Sequence, residues 1–359
     1  MYLILGGLGI QGQAILHYLM TQTKEDITIV DLKKSLPEKI ANQYKHRADY
    51  DRLEYWHGPG WEMDLLDKFG NLTLISCLPT EYNLSVTRTC IANGWNMVDL
   101  GGVTSIVKQQ FQEEIEALTR RVTIIPDCGL APGIVASLAG FYQREGWDSI
   151  EIFCGGIPKF PKLPLSYSKM FYPAGVIKEF SGLAQEIRDG KLVNVPARSN
   201  KELLFIPGFG VLEAVVTSGG LSVAPEHLKL KNLSYKTLRY PGHMEYLEKY
   251  ILSQPDPIAT LDGMLEEVGP DNPDVIILCV RLYGFDTQAS REFYWEYDGD
   301  TGFSAMSQAT GYTVAAIATM VHEKTVRAGV VGMHELDAEE IIRRTQLMPG
   351  QYCEDPLNF

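Results

Sequence analysis

Several features are missing from this chain of 359 residues, and each absence removes a class of protein. There is no C-x-x-C pair: Cys77, Cys90, Cys128, Cys154, Cys279 and Cys353 are scattered. A chain this long can build its core without disulfides, so these cysteines read as reduced thiols of a cytoplasmic protein. The histidines show no ligand spacing such as H-E-x-x-H, and no metal site is expected. No apolar run approaches membrane-spanning length, so no membrane partner is expected. The first apolar run begins at Tyr2, so no signal peptide is expected. Basic tracts are absent too: 32 Lys and Arg against 45 Asp and Glu give a net charge of −13, which argues against a nucleic-acid partner. No internal repeat or low-complexity segment occurs. What remains, 45% hydrophobic and 21% charged, is an ordinary globular composition with length for two domains.

The densest signal is Met1 to Asp31. Tyr2 to Leu5 is a short apolar run, and Gly7, Gly9 and Gly12 follow as G-x-G-x-x-G. Ala14, Ile15, Leu19 and Met20 recur at roughly helical spacing, and Ile27 to Val30 is a β-branched run closed by Asp31. Each part has a physical role. Gly7 permits the tight turn, Gly9 admits a pyrophosphate close to the backbone, and Gly12 lets the helix approach the sheet. The helix N-terminus, at Ile10 and Gln11, offers N–H groups and a positive dipole end to the phosphates. Asp31 lies about twenty residues on, where a carboxylate binds a ribose 2′-hydroxyl. The rival reading is a glycine-rich turn that binds no nucleotide. Asp31 favours NAD, because its charge repels a 2′-phosphate; Lys33 and Lys34 could accept one, which keeps NADP open.

Strand-like runs continue at Leu53–Trp56, Leu72–Cys77, Met97–Leu100 and Val122–Ile125. Helical patterns fall between them: part of 33–51, then Trp61–Phe69, Asn83–Asn93 and Thr104–Arg120. This alternation predicts an α/β fold with a doubly wound parallel sheet. Ligands of such sheets lie beyond the C-terminal strand ends, which selects Cys77-Leu78-Pro79 and Asp99-Leu100-Gly101 as further cofactor contacts. Gly129 to Gly133 opens a helix at Ile134–Tyr142, with Pro132 in its first turn. From Ser149 to Glu296 strands dominate, which predicts an α+β domain with a mixed, mostly antiparallel sheet. Helices are expected at Met244–Leu252, Pro257–Val268 and Met306–Val321, and a last one within 329–344 with Asp337 as its N-cap. The expected domains are 1–128 for the dinucleotide, 129–304 for substrate and dimerisation, and 305–345 as a helical return to the first.

Six motifs in order resemble those of the saccharopine dehydrogenase-like oxidoreductases. They are the glycine turn, Ser76-Cys77-Leu78-Pro79, Val98-Asp99-Leu100-Gly101-Gly102, Gly129-Leu130-Ala131-Pro132-Gly133, Cys154-Gly155-Gly156-Ile157-Pro158 and Leu238-Arg239-Tyr240-Pro241-Gly242-His243. Saccharopine reductases look like G-L-D-P-G at the fourth motif; here Ala131 stands in place of the Asp. The chain is more similar to the lysine 6-dehydrogenase branch, also over Gly175–Phe180, Gly190–Val193 and Val195–Ala197. The resemblance implies an NAD(P)-dependent enzyme that oxidises the side-chain amine of an amino acid, L-lysine giving its 6-semialdehyde and ammonia. The alternatives are a saccharopine reductase or carboxynorspermidine dehydrogenase type of enzyme, or a dinucleotide-binding sensor without activity.

Such chemistry needs a neutral amine, a hydride path and water for the imine. An unperturbed lysine ammonium, pKa about 10.4, must be desolvated or deprotonated. Arg239 offers a fork for the substrate carboxylate, against a surface ion pair as the bland reading. His243, four residues on, could be a general base near neutrality or a satisfied core histidine. Cys154 matches an active-site cysteine of the resembled enzymes and could handle a proton or simply be buried. Gly129, Leu130, Ala131, Gly155 and Tyr240 complete the expected substrate contacts. Tyr172, Glu81 and Tyr82 are weaker candidates, and Phe171, Phe205 and Phe209 read as core or interface. The strand-rich domain suggests a homodimer through residues 150–300.

Overall fold

The computed structural model describes residues 1–47, 50–59, 70, 72–268, 273–346 and 351–354. The helix expected at Trp61–Phe69 lies outside them. Chain packing divides into two compact units, Met1–Ser137 with Ser307–Leu347, and Leu138–Met306 with Met348–Phe359.

The first unit opens with β1 (Tyr2–Leu5), α1 (Ile10–Gln22) and β2 (Ile27–Asp31). There follow α2 (Glu38–Tyr44), β3 (Leu53–His57), β4 (Thr73–Ser76), α3 (Asn83–Asn93) and β5 (Asn96–Asp99). Strands β1, β4 and β2 are buried nearly throughout, the pattern of a parallel sheet covered on both faces. The helix expected at 104–120 is two: α4 (Thr104–Phe111) and α5 (Glu114–Arg120), before β6 (Thr123–Ile125). The break coincides with Gln110, buried because its side chain reaches Asp99, after which Gln112 and Glu113 donate to carbonyls three residues back.

Pro132 does not sit in a helical turn. The Ala131–Pro132 peptide is cis, Pro132 is extended at ψ 153°, and Gly133 turns the chain at φ 142°. Helix α6 (Val135–Arg144) begins only after this bend. The change of unit falls inside α6, later than the cut at 128/129 drawn from patterning. Ser137 still donates to the Leu336 carbonyl within the first unit.

The second unit contains β7 (Ser149–Pro158), α7 (Pro173–Glu179), β8 (Leu183–Arg188), β9 (Lys191–Pro196), β10 (Glu202–Ile206) and β11 (Gly210–Val216). After α8 (Ala224–His227) come β12 (Asn232–Arg239), α9 (His243–Tyr246), α10 (Pro257–Val268), β13 (Asp274–Tyr283) and β14 (Gln288–Glu296). Strands β8 and β10 and helix α7 escape the sequence patterning; α7 is short, with Pro at its start. The sheet is mixed: β12 pairs with β7 in parallel, and the other pairs are antiparallel. One face packs Val215 against Val176, Phe180, Met244, Leu247 and Leu261 of the helical side. The opposite face gathers Phe153, Leu204, Leu238, Ile277 and Tyr294 from the strands themselves.

The chain returns to the first unit through α11 (Ala305–His322), β15 (Gly329–Val330) and α12 (Ala338–Thr345), and β16 (Gln351–Glu354) pairs with β14. Gly311 lets α11 lie against α1: an added Cβ would stand 2.7 Å from the Ala14 Cβ. Asp337 caps α12 by accepting from the Glu339 and Glu340 amides. The two-residue β15 beside β6 completes the first sheet, in the order β15-β6-β5-β4-β1-β2-β3, all parallel. It was not legible as a strand, because two residues carry no period. The doubly wound parallel sheet and the mixed second sheet are the fold class read from the sequence.

Candidate functional site

The glycine turn between β1 and α1 is shaped by close approach. An added Cβ at Gly12 would lie 2.6 Å from the Gly7 backbone, and one at Gly7 would lie 2.8 Å from Ile29 Cγ2. Gly9 precedes α1 with no side-chain cap, so the first amides of the helix, at Ile10, Gln11 and Gly12, are available to an anion. At the end of β2, Asp31 accepts from the Leu8 amide at 2.9 Å and from the Lys33 amide at 3.1 Å. Each carboxylate oxygen keeps a further lone pair for a ribose hydroxyl. Lys33 Nζ donates to the Leu8 carbonyl at 3.0 Å, so its charge is held on the loop. Cradle, helix end and acid together fit a dinucleotide.

Two further turns stand at neighbouring strand ends. Cys77 meets the glycine turn, since a Cβ on Gly6 would be 3.0 Å from its carbonyl oxygen. Leu78 is half-buried on the first core, and Pro79 leads a helical turn in which Thr80 donates to the Gly101 carbonyl at 2.7 Å. Gly101 adopts φ 61°, and a Cβ there would fall 1.6 Å from Asp127 Oδ1. Asp99 is fully buried and accepts from Gln110 Nε2 at 2.7 Å and from the Asp127 amide at 3.2 Å. Asp127 in turn accepts from the Gly102 amide at 2.9 Å. Asp99 therefore holds the turn from beneath; it has no exposed atom for a ribose. Gly129, Leu130 and Ala131 lie in this unit too. Leu130 is buried, and Ala131 is half-buried in the bend before α6.

In the second unit, Arg239, His243 and Cys154 come together on the helical side of the sheet. Arg239 lies at the end of β12 and is 3% exposed, which excludes the surface ion pair. Its Nη1 donates to the Leu238 carbonyl at 2.8 Å, and its Nη2 lies 3.4 Å from Glu179 Oε2. The guanidinium stacks 4.8 Å from the Tyr167 ring centre and 5.5 Å from that of Phe180. Glu179 also accepts from Thr237 at 2.7 Å, and Thr237 shares a 2.7 Å hydrogen bond with Thr217. Thr237 and Arg239 are two apart on β12, so strand alternation brings both to this face.

His243 is a buried imidazole, neutral near pH 7. Burial, and then the Arg239 charge, hold it down at about 3. Cys154 is buried, and burial followed by the Glu179 charge pushes its thiol up to about 12, so it stays protonated. Gly155 is a packing residue: an added Cβ would lie 2.4 Å from the Leu238 carbonyl oxygen of the paired strand. Tyr240 parts from Arg239. Its ring joins the opposite core and its hydroxyl donates to the Pro158 carbonyl at 3.0 Å. Tyr172 and Glu81 are exposed, Tyr82 half-buried. Phe171 packs on the helical core, Phe209 stacks on Tyr294, and Phe205 is exposed.

Sequence reasoning missed Tyr167, Thr217 and Thr237, and it quoted Glu179 without a role. No local pattern marks them; they meet through strand pairing between distant segments. Among the described residues, Arg239 Nε, His243 Nε2 and the Tyr167 hydroxyl are buried without a hydrogen-bond partner.

Comparison with known proteins agrees with this architecture. The model of the saccharopine dehydrogenase NADP binding domain matches residues 2–125, and that of the saccharopine dehydrogenase C-terminal domain matches 129–346. Saccharopine dehydrogenase (L-Glu forming) of Saccharomyces cerevisiae superposes with a TM-score of 0.75 at 17% identity, over 98% of each chain. Homospermidine synthase of Legionella pneumophila, solved with NAD, gives 0.70 at 13% identity over 99% of this chain and 91% of that one. At these identities the likeness is one of fold. The mitochondrial alpha-aminoadipic semialdehyde synthase of Bos taurus is 27% identical over 201 residues, 54% of this chain and 21% of the relative. That of Rattus norvegicus is 26% identical over 196 residues, 50% of this chain and 20% of the relative. This chain thus matches about a fifth of the length of those curated relatives. The chain belongs to the saccharopine dehydrogenase family.

Proposed function

We propose that this saccharopine dehydrogenase family member is an NAD-dependent dehydrogenase for the side-chain amine of an α-amino acid, with L-lysine as substrate. The observation that carries the reading is Arg239: a buried guanidinium, balanced by Glu179, with an Nε–H that no group among the described residues accepts. A substrate carboxylate supplies that acceptor. Ala131, where saccharopine reductases have an acid, favours a primary amine over the saccharopine reaction. The nicotinamide cofactor supplies the hydride acceptor; Gly7, Gly9, Gly12 and Asp31 bind it in the first unit. Removal of hydride from the ε-carbon of the neutral amine leaves an iminium ion, and water converts it to the 6-semialdehyde and an ammonium ion. Asp31, with Lys33 tied to Leu8, supports NAD over NADP.

The test is incubation of the protein with L-lysine and NAD while reduced nicotinamide is followed. Turnover with lysine is expected. Turnover only of glutamate plus an amino-semialdehyde with NADPH would move the assignment to a saccharopine reductase. Coupling of an aldehyde to a diamine would move it to the carboxynorspermidine branch, and NAD binding without reaction to a sensor.

The reading extends to a homodimer in a reducing, cytoplasmic setting. Cys77, Cys90, Cys128, Cys154 and Cys279 are free thiols, and no helix among the described residues is long and apolar enough to cross a membrane. Strand β10 is a sheet edge with exposed apolar residues, which supports pairing with a second copy.

A further inference from the structure

Three buried polar atoms without hydrogen-bond partners among the described residues stand on mutually packed side chains of the second unit. They are Arg239 Nε, the Tyr167 hydroxyl and His243 Nε2. The Arg239 guanidinium lies 4.8 Å from the Tyr167 ring centre, and the Tyr167 and His243 rings are 5.5 Å apart. Phe180 walls the same group, 5.5 Å from the guanidinium and 6.0 Å from the His243 ring. A buried polar atom left unmatched costs about 1–3 kcal/mol, so three in one cluster call for a ligand.

The chemistry of the three atoms defines that ligand. Arg239 Nε–H can only donate, and the Tyr167 hydroxyl can donate. His243 is different. Its Nδ1 lies 2.9 Å from the Leu165 carbonyl oxygen, which can only accept, so Nδ1 carries the proton. The ring is neutral, held down by burial and by Arg239. Its Nε2 is therefore a bare lone pair that needs a donor. The fixed charges already balance, Arg239 against Glu179. A simple carboxylate would leave His243 unmatched and add a net negative charge. A simple amine would leave Arg239 unmatched and set two cations together. A zwitterion satisfies every atom and keeps the cluster neutral.

We infer that Tyr167, Arg239 and His243 read a complete α-amino-acid headgroup, with His243 Nε2 accepting from the α-ammonium while Arg239 and Tyr167 donate to the carboxylate. This deepens the proposed function and rests on its carboxylate contact at Arg239. It makes His243 a specificity residue that separates amino acids from plain acids and from diamines.

Binding measured by calorimetry on the full chain tests the inference without any redox step. The probes are L-norleucine, hexanoate, which lacks the α-amine, and hexylamine, which lacks the carboxylate. L-norleucine should bind about tenfold tighter than either, one charged hydrogen bond's worth. His243→Leu should erase its advantage over hexanoate and leave hexanoate unchanged. Tyr167→Phe, which removes one oxygen, should weaken both alike. Equal binding of L-norleucine and hexanoate by the unaltered protein would overturn the inference. So would equal weakening of both by His243→Leu, or no binding of L-norleucine at all. If His243→Leu does not fold, the wild-type comparison and Tyr167→Phe still decide. Selective L-norleucine binding without lysine turnover would sink the proposed reaction and leave this inference standing.

Discussion

Asp99 is the residue through which pH should act on folding. Its carboxyl is buried, and burial, then the nearby Asp127 charge, push it up to about 7 from an ordinary 3.8. The folded chain therefore holds this proton more tightly than the unfolded chain. Its contribution to stability is complete below the unfolded value and is lost as pH rises through about 7. Asp99→Asn has no proton to lose. Between about pH 5 and about pH 8 its urea midpoint should fall less than that of the parent, by the equivalent of up to about 2 kcal/mol. Parallel declines in the two proteins would show that another group is responsible. Asp99 was legible as an acid at a strand end. Its burial under the turn was not, because Gln110 and Asp127 reach it from other elements.

At the scale of elements, the turn between β1 and α1 is the most constrained. Gly→Ala on an exposed helix usually stabilises by about 1 kcal/mol. At Gly12 the sign should reverse, since the new Cβ meets Gly7 backbone that cannot move aside. Gly12→Ala should lower the melting temperature and weaken NADH binding at least about tenfold by fluorescence titration. Unchanged NADH affinity would mean that this helix end does not hold the pyrophosphate. The turn is readable because its rule is local: glycines are placed where a Cβ would collide. The same locality explains α3, α10 and α11, whose apolar period is long and uninterrupted. It also explains what was lost: β15 has two residues, and α4 and α5 are divided by a tertiary contact through Gln110.

At the scale of the whole molecule, the property to measure is self-association. Edge strand β10 alternates, with Leu203 at 63% and Phe205 at 71% exposure and Leu204 and Ile206 buried. An exposed apolar edge is a pairing surface or a liability. Light scattering should give a dimer mass, and Phe205→Glu should shift it to a monomer with the melting temperature unchanged within a few degrees. A monomeric parent would refute the dimer.

The sequence by itself determined the doubly wound first sheet, the strand-rich second one, the dinucleotide turn and the family. These follow from periodicity and from glycine sterics, which act over a few residues. Only the tertiary structure decided what Arg239, His243 and Cys154 are. Thr237 and Cys154 are paired across β12 and β7, and Tyr167 and Glu179 arrive from the segment between those strands. That assembly removes water from Arg239, His243, Cys154, Tyr167 and Thr237. Desolvation then keeps His243 neutral and the Cys154 thiol protonated, charge states that the residue types alone do not reveal.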